Sequence, residues 1–128
     1  MIKIKPNDFF NLIGKERLSR TDHVEKNESL IINGFKVYKD SWRYRTFYQK
    51  GCTCSACGKK GTYFLLTKDK QNSKRAHFNL YADDGTLMTK DHIYPKSLGG
   101  KNSIDNFQTM CTDCNVKKGN KIEKIEEV

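Results

Sequence analysis

Residues 87–121 read LMTKDHIYPKSLGGKNSIDNFQTMCTDCNVKKGNK. A β-forming run closes on Asp91-His92, Pro95 and Gly99-Gly100 mark a loop, and Cys111-x-x-Cys114 introduces a charged, helix-forming tail. Asp91 and His92 are followed fourteen residues later by Asn106 and nine further on by Asn115, which directly follows Cys114. A lone His beside an Asp is ordinarily a surface ion pair, and a lone Asn is ordinarily a turn or a cap. Their joint spacing around a cysteine pair points instead to a site.

Upstream, Cys54-x-x-Cys57 forms a matching pair with Cys111-x-x-Cys114, and the 53 residues between them must fold and return. Four thiolates in two such pairs suit a closed tetrahedral structural zinc site. The rival reading, a redox Cys-x-x-Cys, lacks a thioredoxin-like βαβ setting, and two pairs are better explained by one shared metal. Cys52 is the spare fifth cysteine, because using it would break the two-residue spacing.

The motif in residues 87–121 resembles that of the HNH endonucleases, carried by Asp91, His92, Pro95, Ser97, Gly99, Gly100, Asn106 and Asn115. Both cysteine pairs match as well, so the resemblance spans roughly residues 41–121. It implies a small α+β domain of the zinc-stapled ββα-metal (HNH, or His-Me finger) type. It further implies that Asp91 and Asn115 bind a catalytic divalent cation, that His92 is the general base, and that Asn106 braces the loop orienting His92. The last motif position is Asn115 where the family name has His, as in members whose motif ends in Asn; this bears on the metal more than on the activity.

The chemistry of these residue types supports the same roles. Asp91 and Asn115 offer hard oxygen ligands that suit Mg²⁺ or Mn²⁺, and imidazole is the side chain best placed to accept a proton near neutral pH. Neighbouring strand residues face opposite ways, so Asp91 and His92 are expected to share a site only through a local bend. DNA is the expected substrate, cut at a phosphodiester, with nicking and double-strand cutting both open. The alternative is a non-catalytic zinc-finger DNA-binding module or a regulatory subunit with the same fold.

The rest of the chain frames this motif. Its 128 residues suit one compact domain, and with 36% hydrophobic residues the core is lean enough for a metal staple to matter. The formal charge is +9, with 11 basic against 6 acidic residues in 1–50, 7 against 3 in 51–90, and 6 against 6 in 91–128. A basic surface around a neutral motif suits a polyanion partner. Arg43, Arg45, Lys117 and Lys118 are the candidate phosphate contacts; for the lysines, ordinary solvation is an equal reading.

No apolar run approaches the roughly 20 residues of a membrane helix, and the first ten residues do not read as a signal peptide. A cytoplasmic protein of a bacterial or phage-infected cell, with no membrane partner, is expected. A larger complex or a homodimer remains open.

Residues 1–40 are expected to form an extension of unknown role, and 41–128 the nuclease domain. Within the extension, Pro6 and Asn7 start a helix over 6–20, and Asn33-Gly34 turns a short hairpin. Asp40 or Ser41 caps a helix whose aromatic residues are expected to pack on the zinc site rather than on bases. Residues 67–76 read as an exposed basic loop, and Asp84-Gly85 as a turn between strands over 77–81 and 86–93. His77 reads as a plain hairpin residue, with an additional ligand or phosphate contact as the lesser alternative, and His23 takes no role.

Overall fold

In the computed structural model, residues 2–119 are described. They form a small mixed α/β fold: β1 (Lys3–Ile4), α1 (Pro6–Ile13), α2 (Lys15–Leu18), β2 (Ser29–Ile32), β3 (Phe35–Tyr38), α3 (Trp42–Gln49), β4 (Gly61–Lys68), β5 (Ala76–Ala82), β6 (Met88–His92), β7 (Phe107–Cys111) and α4 (Thr112–Lys118), with two 3₁₀ turns between β6 and β7. Three antiparallel sheets result, ordered β1-β4-β5, β2-β3 and β6-β7.

The N-terminal helix is shorter than its apolar pattern suggests. Gly14 adopts φ 109°, which interrupts the helix at Ile13, and the chain resumes as α2. The β2-β3 hairpin turns at Asn33 and Gly34, both with positive φ, as the Asn-Gly pair requires. Ser41 caps α3 by accepting from the backbone N–H groups of Arg43 and Tyr44.

The Asp84-Gly85 turn does not join two long partners. β5 pairs along its length with β4, and only a Tyr81–Leu87 bridge links it to the approach of β6. β6 pairs instead with β7 in unbroken register from Met88↔Cys111 to His92↔Phe107. α4 follows directly and packs on both strands. The expected C-terminal helix begins as α4, and residues 120–128 lie outside the described residues.

One hydrophobic cluster ties these elements together. Phe9 from α1 stacks on Phe64 of β4 with centroids 3.9 Å apart and meets Tyr44 of α3 and Phe78 of β5 edge-on. Leu18 and Val37 from the N-terminal region join it, as do Met88, Met110, Cys54 and Cys111. The apolar face of α3 thus enters the common core through Tyr44 and Phe47, whereas Trp42 packs edge-on against Phe107 at 5.6 Å. That second contact fixes the start of α3 beside the end of the β6-β7 ribbon.

Among the described residues no helix is long and apolar enough to cross a membrane.

Candidate functional site

The four cysteines of the two pairs converge. The Sγ atoms of Cys54, Cys57, Cys111 and Cys114 all lie within 4.8 Å of one another, and Cys57 and Cys111 are 3.7 Å apart. A disulfide would need about 2.05 Å, whereas four sulfurs about 2.3 Å from a tetrahedral metal sit roughly 3.8 Å apart. Hydrogen bonds with Cys111 and Cys57 push the Cys114 thiol up to about 12. Four thiols so close cannot all ionise without a cation among them, so the cluster can hold a metal such as zinc.

Cys52 stands apart. It is half-buried, its Sγ faces the Phe47 carbonyl at 3.8 Å, and burial raises its thiol to about 11.

The knuckle is wired to the ribbon. Ser55 N–H donates to the Thr109 carbonyl, and Ser55 Oγ donates to Gln108 Oε1 at 2.9 Å. Gln108 Nε2 in turn donates to Asp91 Oδ2 at 2.9 Å, across the β6-β7 pair that places these residues opposite one another. Lys118 Nζ reaches the same oxygen at 3.2 Å and donates to the His92 carbonyl at 2.9 Å. Asp91 is 7% exposed and, among the described residues, partnered on one oxygen only.

His92, Asp91 and Asn115 line one cleft of about 260 Å³, together with Lys90, Lys96 and Ser97. No bulge brings this about, contrary to the bend expected from strand alternation: the register is regular through His92. Thr89 and Asp91 face α4, where Asn115 Nδ2 donates to Thr89 Oγ1 at 2.9 Å. Lys90 and His92 face Phe107, with the His92 ring edge-on at 4.9 Å and Lys90 Nζ 4.2 Å above the ring. The strand stops at His92, so side chains from both faces border the space beyond its end.

The loop after β6 is held by Asn106. Its Oδ1 accepts from Tyr94 N–H at 2.8 Å, while its Nδ2 donates to the carbonyls of Tyr94 at 3.1 Å and Lys101 at 2.9 Å. A Cβ on Gly100 would collide with the Tyr94 carbonyl, so this close backbone approach needs glycine. The same loop presents Asn102, whose Oδ1 lies 2.8 Å from His92 Nε2. An amide oxygen only accepts, so Nε2 carries a proton in this arrangement, and among the described residues Nδ1 has no hydrogen-bond partner.

Two expected phosphate contacts are corrected. Arg45 is fully buried, paired with Asp40 at 2.8 Å and donating to the Asp22 carbonyl at 2.5 Å, because α3 turns that face into the core. Lys118 is 1% exposed and serves Asp91 and His92 from within. Arg43 is half-buried, with one guanidinium nitrogen on the Phe78 carbonyl at 2.8 Å. Lys117 is exposed.

Gln108, Ser55 and Asn102 join the site without standing out in the sequence. A legible signal existed for Gln108: it and the adjacent Thr109 are the polar residues in the otherwise apolar FQTMC strand, and a register closing at residues 92 and 107 sets Gln108 opposite Asp91.

Comparison with known proteins agrees with this geometry. The family model described as HNH endonuclease matches residues 82–125, which contain the whole of the β6-β7-α4 unit. The resemblance to HNH endonucleases is thus shown over that segment. A CRISPR-associated endonuclease Cas9 of Corynebacterium diphtheriae is 29% identical over 97 residues, covering 75% of this chain. The matched region is 7% of that relative's length. No solved structure matches.

Proposed function

We propose that the chain is a divalent-metal-dependent endonuclease of the ββα-metal type that hydrolyses DNA phosphodiester bonds, stapled by zinc on Cys54, Cys57, Cys111 and Cys114. The observation that carries this reading is the single cleft shared by Asp91, His92 and Asn115, with the imidazole held through Nε2 and, among the described residues, no hydrogen-bond partner on Nδ1. The HNH match over residues 82–125 and the similarity to a known endonuclease support it.

The donor set fits a hard cation. Among the described residues, Asp91 has one oxygen engaged and the other without a hydrogen-bond partner, and Asn115 uses its nitrogen on Thr89, which leaves its Oδ1 unused. Asp91 and Asn115 would hold Mg²⁺ or Mn²⁺, which when bound neutralises charge developing on the phosphate and on the departing oxygen.

The protein's own groups do the rest. His92 Nδ1 takes a proton from water as the water oxygen bonds to phosphorus; the bond to the 3′ oxygen breaks, and that oxygen is protonated by solvent. Asn102 keeps the Nε2 proton in place, and Asn106 keeps the loop that presents Asn102 in register. Lys90 and Lys96 border the cleft and supply positive charge for the phosphate.

We further infer that the chain acts as a cutting module within or beside a larger assembly, a reading supported by its likeness to a small part of a much longer endonuclease.

The test is incubation of the zinc-loaded protein with supercoiled plasmid in the presence of Mg²⁺, Mn²⁺ or EDTA. Cutting that depends on the added cation is expected. Intact plasmid under every cation would overturn the reading.

A further inference from the structure

Away from the catalytic pocket, a second cleft of about 320 Å³ opens where the N-terminal region meets the β4-β5 hairpin and the start of α3. Its wall includes Lys26, Tyr38, Arg43 and His77. The junction is tied by main chain: Lys36 pairs with Arg75 in a β-bridge, and Lys36 N–H donates to the Lys74 carbonyl at 2.9 Å.

The fold gathers cations here without neutralising them. Lys36 Nζ lies 5.0 Å and Lys26 Nζ 5.8 Å from the centre of the Tyr38 ring. Lys36, and after it Arg75, hold the Tyr38 hydroxyl below its ordinary pKa, which places both charges beside it. Two carboxylates border the cleft, and each is already engaged: Asp69 with His77 at 2.6 Å, Asp40 with Arg45 at 2.8 Å. Among the described residues, Lys26, Lys36, Arg43 and Arg75 have no carboxylate within ion-pair distance.

Like charges held together by backbone pairing cost stability unless something anionic covers them. Arg43 lines this cleft, and its neighbour Trp42 packs on Phe107, the ring that also meets His92 and Lys90, so the start of α3 joins the cleft to the catalytic pocket. We propose that Lys26, Lys36, Tyr38 and Arg75 form a second phosphate-binding subsite that grips the DNA backbone flanking the scissile position. This gives the N-terminal forty residues a role: they complete a clamp that the β6-β7-α4 unit lacks. Such contacts fix position along the strand and carry no base sequence. The inference rests on the DNA-cutting reading above.

The test uses fluorescence anisotropy of labelled duplexes on the full, zinc-loaded chain carrying His92→Ala, so that nothing is cut during titration. Lys26→Ala, Lys36→Ala and Arg75→Ala are combined; all three residues are exposed. A control removes the same charge at Lys5, Lys15 and Lys50. The subsite predicts that the slope of log affinity against log salt falls by roughly 2 to 3 in the cleft variant, about 0.9 for each phosphate no longer neutralised. It also predicts a larger drop in affinity for a long duplex than for one just covering the catalytic pocket. An unchanged slope, or an equal drop in the control, would overturn the subsite, and if the wild type still cuts plasmid the nuclease reading stands. Conversely, cleft-dependent binding by a chain that never cuts would sink the cleavage reading and leave the subsite in place.

Discussion

Gln108 donates to Asp91 Oδ2 at 2.9 Å from the opposite strand, and its other amide atom accepts from Ser55 of the first cysteine knuckle. The cysteine cluster and the cleft lined by Asp91, His92 and Asn115 are therefore joined by one side chain. Gln108→Leu removes one of the two donors to Asp91 Oδ2, leaving Lys118, and the acceptor of the exposed Ser55 hydroxyl; losing a hydrogen bond to a charged group costs about 1.5–3 kcal/mol. Urea denaturation should show that destabilisation with zinc content unchanged. Cleavage should fall more than DNA affinity, because Asp91 is left with one of its two orienting donors; an equal fall in both would reduce Gln108 to a packing residue.

The thiolate cluster predicts that Cys57→Ser or Cys111→Ser loses zinc and unfolds the domain, since metal binding and folding are coupled in such sites. Cys52→Ser should keep both, because Cys52 lies outside the cluster. Elemental analysis beside circular dichroism checks this, and normal zinc in Cys111→Ser would contradict it.

The buried cations behave differently from surface ones. Arg45→Met leaves Asp40 buried without its partner, and breaking such a pair costs about 3–5 kcal/mol. Lys118→Met should likewise destabilise, because it leaves the Asp91 carboxylate buried without its cation. Lys117→Ala, at an exposed position, should leave stability alone and flatten the salt dependence of DNA binding. Denaturation and salt titration on the same three variants separate the two classes.

How far sequence reaches is visible in these residues. The cysteine pairs and the Asp91-His92, Asn106, Asn115 series are legible because their spacing is local and each type has few chemical uses. Arg45 and Lys118 are not, because whether a long cation snorkels to solvent or meets a buried carboxylate depends on a partner from elsewhere in the fold. The ββα resemblance implies a second strand after Asn106, but local pattern alone does not pair β6 with β7 rather than β5: the Asp84-Gly85 turn is a strong local signal, and the competing partner lies beyond the long loop that follows His92. Gly14 shows the converse, an apolar pattern continuous across a residue whose backbone leaves the helix.

The oxygen donors predict a second, separable metal. Asp91→Ala or Asn115→Ala should weaken the Mg²⁺ or Mn²⁺ dependence of cleavage while zinc stays bound, since neither residue belongs to the cysteine cluster. Calorimetry that finds no divalent-cation binding beyond tight zinc would remove the proposed site.

The most direct measurement compares wild type with His92→Ala, pairing a timed plasmid-nicking assay with a gel-shift titration on the same zinc-loaded preparations. Removing a positioned general base costs about 10² to 10⁴ in rate, roughly 3–5 kcal/mol of barrier, whereas a neutral imidazole adds little to backbone binding. Cleavage should therefore fall by that factor while folding, zinc content and DNA affinity stay near wild type. Wild-type cutting by His92→Ala would contradict the assignment of the base, and DNA binding without cutting by either protein under any divalent cation would favour the non-catalytic binding module.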